Sequence, residues 1–190
     1  MTNPNHPSGT DRIAEAFCVR RYDVDDIIVG VQGDEPLIPV ANIHQVADNL
    51  MQYPKAAVTT LCVPVQRAES VFNPHAVKVV RDQQGYALYF SRAPIPWVRG
   101  EFPDSPQHLT HHLIHVGLYC YRGSFLAQYA SMPPSPLETL ESLEQLRVLS
   151  AGLKIHVDIA YEPTPPGVDT PACVERIVKW NPGLMYANQP

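Results

Sequence analysis

The chain is short of positive charge: 14 Lys and Arg stand against 19 Asp and Glu, for a net charge of −5. A general nucleic-acid binder needs a basic surface to neutralise phosphates, so the charge balance argues against that class. No apolar run approaches the roughly 18 residues of a membrane span. The opening Met1-Thr2-Asn3-Pro4-Asn5-His6-Pro7 has neither the basic start nor the apolar stretch of a signal peptide. The expectation is a soluble cytoplasmic protein with no membrane and no nucleic-acid partner. Cysteine is sparse too. Cys18, Cys62, Cys120 and Cys173 form no Cys-x-x-Cys pair, and three sit in apolar segments, as reduced packing thiols do. Internal repeats, low-complexity linkers and a Gly-Lys-Ser/Thr phosphate loop are all missing.

What is present is a globular composition, 45% apolar and 17% charged over 190 residues, enough for one domain with a real core. Twenty prolines, about twice the usual share, cluster at strand ends and loops and argue against a helical bundle. Asp11 to Cys18 reads as a short helix and Asp26 to Val31 as a buried strand. Pro39 opens a helix with Ile43, Val46, Ala47, Leu50 and Met51 at helical spacing. Ala57 to Val65 is a β-branched strand. Val77 to Val80 and Tyr86 to Phe90 flank Asp82-Gln83-Gln84-Gly85, a hairpin signal. His115 to Tyr121 is a further strand. Leu137 to Leu149 predicts one leucine-rich helix stopped by Gly152, and Ile155 to Ala160 a last strand before the proline-rich turn. Alternating strands and helices predict an α/β fold whose sheet is mostly parallel, with the hairpin as an antiparallel addition.

Four constellations could carry chemistry. The apolar Ile27-Ile28-Val29 run leads into Val31-Gln32-Gly33-Asp34-Glu35-Pro36, which delivers a carboxylate to a strand's carboxyl end, where open α/β sheets place ligands. With Asp169 of Gly167-Val168-Asp169-Thr170-Pro171, Asp34 could hold a hard cation through oxygen. A turn and a helix cap explain the same residues. His6-Pro7-Ser8-Gly9-Thr10-Asp11-Arg12 could cradle an anion or nucleotide edge at a helix start, or simply cap that helix. His108, His111, His112 and His115 would share a face on a helix and suggest zinc. However, His115 opens an alternating strand, so the run changes structure before such a face forms. Glu138, Glu141, Glu144, Gln145 and Arg147 read mainly as a solvated or ion-paired helix face, with one or two free to meet a sugar.

These segments, together with Phe72-Asn73-Pro74, Ala76 to Val80, Gly85 to Arg92, Ile95-Pro96-Trp97, His115 to Arg122 and Ser135 to Leu149, resemble the 3-deoxy-manno-octulosonate (Kdo) cytidylyltransferases over about Thr2 to Ile177. The resemblance implies a nucleotide-diphospho-sugar transferase-like fold. It also implies an enzyme that transfers CMP from CTP to the anomeric hydroxyl of Kdo and releases pyrophosphate, for lipopolysaccharide biosynthesis. Asp34 and Asp169 match the catalytic, Mg2+-binding carboxylates. Gln32, Arg92, His115, Tyr119, Glu144 and Gln145 match the Kdo-contacting positions, with Arg92 offering a fork for the sugar carboxylate. Ser8, Gly9, Thr10 and Arg12 match the segment near the cytidine. The family is commonly dimeric, and the Tyr86 to Trp97 region could supply that surface.

The chain departs from the pattern at its start. The family's first strand, its Gly-, Arg- and Lys-bearing triphosphate loop, and the next helix and strand find no counterpart. The expectation is therefore a cytidylyltransferase domain over residues 1–178, incomplete at its N-terminus, with a tail over 179–190. Its exposed apolar strand edge would favour association. The alternative is a non-catalytic remnant that keeps sugar-acid binding or a dimer surface.

Overall fold

A computed structural model of the protein describes residues 2–33, 35–103, 109 and 111–164. The elements run α1 (Gly9–Arg20), β1 (Ile27–Gly30), α2 (Val40–Gln52), β2 (Ala56–Pro64), α3 (Ala68–Phe72) and β3 (Lys78–Arg81). They continue with β4 (Ala87–Ser91), β5 (Leu113–Arg122), α4 (Gly123–Tyr129), α5 (Pro136–Glu141), α6 (Gln145–Ser150) and β6 (Lys154–Ile159). The short helices α3 and α4 were not anticipated, because a motif of five or seven residues shows too little periodicity to stand out from its neighbours.

Strand β5 is the hub of a six-stranded mixed sheet of order β4-β3-β5-β2-β6. Along one side its two halves pair with β3 (Lys78 opposite Ile114) and β1 (Val29 opposite Cys120), and β2 runs along the other. The sheet is mixed, as the alternation of strands and helices implied, but parallel pairing is the minor part. Among the described residues only β2 and β6 run parallel, with Thr60 opposite Val157. The reason is β5, which meets three neighbours antiparallel and so sets the direction of most ladders.

The hairpin turn is as its residues require. Gly85 has φ 86°, a left-handed conformation that side-chain-bearing residues resist. Asp82 Oδ1 accepts from the amides of Gln84 and Tyr86 at 2.8 and 2.9 Å. The hairpin tip then reaches the last strand. Val157 N donates to Gly85 O at 2.8 Å, and Arg81 Nη1 donates to Val157 O at 2.8 Å. His156 stacks on Tyr53 at 3.5 Å between centroids and meets Tyr86 edge-on. The sheet therefore curls toward closure.

Each face of β5 serves a separate core. Tyr119 and Tyr121 join Val58, Val79, Phe90, Leu126, Leu146, Ile155 and Val157 under α1, α4 and α6. Val116, Leu118 and Cys120 join Leu61 and the α2 residues Val46 and Leu50 on the other face. Leu50 is completely buried, so truncating it to alanine would cost about 2–5 kcal/mol. Met51, expected on the same stripe, is exposed. The inward face of α2 is instead completed by amides. Asn42 exchanges hydrogen bonds with the backbone of Glu162, and Gln45 accepts from Tyr161 N and donates to Ile159 O. Gly123 lets α4 approach the loop after α1, because a Cβ there would lie 2.4 Å from Asp23 O.

The single helix expected over Leu137 to Leu149 is two helices. Ser142 adopts φ 51° and ends α5, so Leu140, expected inside, is 81% exposed. Leucine spacing continued through the break and concealed it. Cys18 is exposed, while Cys62 and Cys120 are buried free thiols, as expected for packing residues; Cys173 lies outside the described residues.

Candidate active site

A cavity of about 720 Å3 opens on the side of the sheet covered by α1, α5 and α6. Its walls come from segments far apart in sequence. Pro7 and Ser8 precede α1, Gln32 and Glu35 follow β1, and His75 and Val77 precede β3. Arg92 follows β4, and Glu138 to Arg147 span the α5–α6 break.

Strand β5 supplies the floor. His115, Gly117 and Tyr119 alternate along it and so share one face. The pairing of β5 with β2 shifts between Thr60 and Leu61, opposite Gly117 and Leu118. Two extra residues keep the alternation in step, so the cavity face and the core face stay distinct. Thr60 Oγ1 lies 3.0 and 2.8 Å from the carbonyls of Val116 and Leu118, and 3.0 Å from His115 Nε2. The hydroxyl's one hydrogen satisfies a carbonyl in the tautomer in which His115 Nε2 carries the ring proton and donates to Thr60. Burial pushes the His115 pKa down to about 3, keeping the ring neutral. Burial, reinforced by the Glu144 carboxylate, likewise raises Tyr119 and Tyr121 far above the ordinary phenol value, so both keep their protons.

The other wall is charged. Arg147 is almost fully buried and grips two carboxylates, Asp11 at 3.0 and 3.3 Å and Glu138 at 2.8 and 2.6 Å. Its guanidinium carbon also lies 4.4 Å over the Tyr129 ring. Both acids are third residues of capped helices. Ser8 caps α1 through Asp11, and Ser135 and Glu138 form a complete capping box on α5.

Arg92 donates to three backbone carbonyls, those of Glu141 (2.7 Å), Pro74 (2.9 Å) and Ser142 (3.3 Å). Glu141 returns the contact by accepting from Arg92 N and Ser91 Oγ. Beneath them Lys78 is fully buried, with Nζ donating to Asn73 O and Arg92 O at 2.7 Å each. Desolvation pushes its pKa below the usual lysine value. The Arg92 fork is therefore held in place by backbone, with two of its five N–H groups left over by this count.

All six residues matched to the sugar, Gln32, Arg92, His115, Tyr119, Glu144 and Gln145, line this one cavity. Of the nucleotide-matched residues, Ser8 lines it as well. Gly9 lies beside it, since a Cβ there would sit 3.5 Å from Gln32 Nε2. Thr10 is buried and donates to Glu144 Oε1 at 2.6 Å. Arg12 is exposed, donates to Thr2 Oγ1 and is not a wall residue. Asp34 and Asp169 lie outside the described residues. The histidine run is divided: His111 is exposed, His112 is buried with Nε2 near Pro96 O, and His115 faces the cavity; His108 is not described. Among the described residues no group of three His, Cys, Asp or Glu is placed to hold a metal. Sequence reasoning missed His75, Ser142 and the structural part of Glu138, Glu141 and Arg147. The Ser-x-x-Glu and Ser-x-x-Asp cap spacings were the available signal for two of the acids.

A mixed sheet with a polar cavity walled by helix starts and strand ends is the construction of an α/β enzyme that binds polar, charged substrates. Residues 1–155 match the cytidylyltransferase family model. The 3-deoxy-manno-octulosonate cytidylyltransferase of Nitrosococcus oceani is 54% identical over 182 residues, covering 93% of this chain and 70% of that protein. The enzyme of the same name from Vibrio cholerae is 52% identical over 176 residues, or 92% of this chain and 69% of that one. A solved structure of CMP:2-keto-3-deoxy-manno-octonic acid synthetase complexed with CTP superposes with a TM-score of 0.84. It is 38% identical and covers 97% of this chain and 72% of that one. The chain belongs to the cytidylyltransferases and, within them, to the 3-deoxy-manno-octulosonate cytidylyltransferase family.

Proposed function

We propose that the protein transfers CMP from CTP to the anomeric hydroxyl of Kdo. The hydroxyl oxygen attacks the α-phosphorus, the bond from that phosphorus to the bridging oxygen breaks, pyrophosphate leaves and the hydroxyl proton is lost. The observation that carries this reading is the convergence of all six sugar-matched residues around one cavity from segments distant in sequence. In this reading Arg92 meets the sugar carboxylate with its remaining N–H groups. Neutral His115, Tyr119 and the Glu144–Gln145 pair order the sugar hydroxyls. With a pKa near 3, His115 is suited to hydrogen-bonding a hydroxyl rather than taking its proton.

Asp34 and Asp169 would hold Mg2+, and the described neighbours of Asp34 fit a hard cation, because Gln32 and Glu35 bring oxygen donors to the cavity wall. Such an ion, when bound, compensates phosphate charge. In this reading the protein works in the cytoplasm, as an enzyme drawing on CTP would. The hairpin carries exposed Leu88, with exposed Trp97 close beyond it, which supports a homodimer through this region; sedimentation of Leu88→Lys against the parent chain tests that.

The deciding measurement is pyrophosphate release from CTP and Kdo with Mg2+, with Asp34→Ala as the control. Turnover abolished by the control is the expected result. A folded chain that binds Kdo but shows no turnover would overturn catalysis and favour the sugar-binding remnant.

A further inference from the structure

The nucleotide-matched start of α1 and the sugar-matched wall of the cavity are tied together at one buried side chain. Ser8, Gly9 and Thr10 sit at the start of α1, while Glu144 and Gln145 follow the break between α5 and α6. Arg147 holds the third residue of α1 with Nη1 and Nη2, and the third residue of α5 with Nε and Nη2. One turn earlier on the same side of α6, Glu144 takes the Thr10 hydroxyl at 2.6 Å. A planar guanidinium that grips two carboxylates fixes their separation and mutual angle, which a flexible ammonium cannot do. The two helix starts therefore cannot reorient independently.

We propose that Arg147 is a positioning residue that couples the two substrate subsites, so that occupation of one organises the other. This rests on the nucleotidyl-transfer reading for the identity of the ligands but not for the clamp itself. Arg147 acts through Asp11 and Glu138 and needs no contact with substrate.

The test uses the full chain with Glu138→Gln, Asp11→Asn and Arg147→Lys, near-isosteric or charge-keeping changes chosen because Arg147→Met could fail to fold. Hydrogen exchange without ligand comes first. Glu138→Gln, on α5, is expected to speed exchange several-fold at the amides of Thr10, Asp11 and Arg12 on α1, which Glu138 does not touch. Acceleration confined to α5 overturns the clamp. Calorimetry with CTP and Kdo as probes, in Mg2+, follows. In the parent chain each ligand is expected to tighten the other by about fivefold, the low end of usual site-to-site coupling. That factor should fall to one in all three variants, Arg147→Lys included. A parent chain without coupling, or variants that lose affinity while keeping the factor, would make Arg147 merely structural and overturn the proposal. If the parent binds neither ligand, the nucleotidyl-transfer reading is what fails, and the exchange result alone still accepts or rejects the clamp.

Discussion

The molecule is closed in two places by opposite means. At the cavity, α1, α5 and α6 are joined by charge through Arg147 with Asp11 and Glu138, while beside them Arg92 and buried Lys78 donate to backbone carbonyls and the Glu141 carboxylate accepts from Arg92 N. At the curl of the sheet, the hairpin tip meets β6 through backbone hydrogen bonds and the Tyr53–His156–Tyr86 aromatic group. The aromatic seam buries apolar surface and needs only shape. The charged wall pays a desolvation cost for each ion, and recovers it only while every partner is present. A wall built in this way is a poor route to stability but a good route to fixed geometry, which is what an anionic substrate requires.

The largest expected effect breaks the charged side. Arg147→Met leaves two mostly buried carboxylates facing each other and should lose about 3–5 kcal/mol in denaturant unfolding. A loss below about 1 kcal/mol would show the wall to be solvated. Next comes the aromatic seam. Gly85→Ala forces a side chain into φ 86° and brings a Cβ to 2.6 Å from His156 Nε2. The combined strain and clash should cost about 2–3 kcal/mol, read as a lowered unfolding midpoint. An unchanged midpoint would mean that the hairpin tip is not pinned.

Both regions hold a neutral histidine, and pH compares them. Burial lowers the pKa of His115 to about 3 and also lowers that of His156. The unfolded chain, with histidines near 6.5, then binds protons that the folded chain refuses. Stability is full above that value and falls with decreasing pH, by about 1.4 kcal/mol per unit for each such group, for His115 until about pH 3. Unfolding measured against pH should show this slope, and His115→Gln should remove its own share; an unchanged slope would reject the assignment. The smallest effect tests the α5–α6 break. Ser142→Gly relieves a left-handed residue and should stabilise by less than about 1 kcal/mol, whereas Ser142→Val should destabilise. Equal melting temperatures for all three would show that the break carries no strain.

The hairpin was legible because Asp82 and Gly85 act locally: one carboxylate and one glycine suffice to make the turn. The β-branched strand and the amphipathic α2 were legible by periodicity, although Met51 shows that period alone does not say how wide the buried stripe is. The leucine-rich helix misled because nothing local marks Ser142 as the stop. Its neighbouring carbonyls, those of Glu141 and Ser142, receive Arg92 from 50 residues away. Likewise Arg147 looked like an ordinary helix-face cation, since neither Asp11 nor the capped start of α1 is near it in sequence.

Residue order by itself determined the α/β class, the family resemblance, the turn and the set of residues that could meet a sugar acid, because each depends on short spacing or on side-chain chemistry. Only the tertiary structure decided the predominantly antiparallel ladders, the break in the helix and the grouping of those residues around one cavity. Those features depend on contacts between segments tens to more than a hundred residues apart, where side chains compete for partners that no local pattern can reveal.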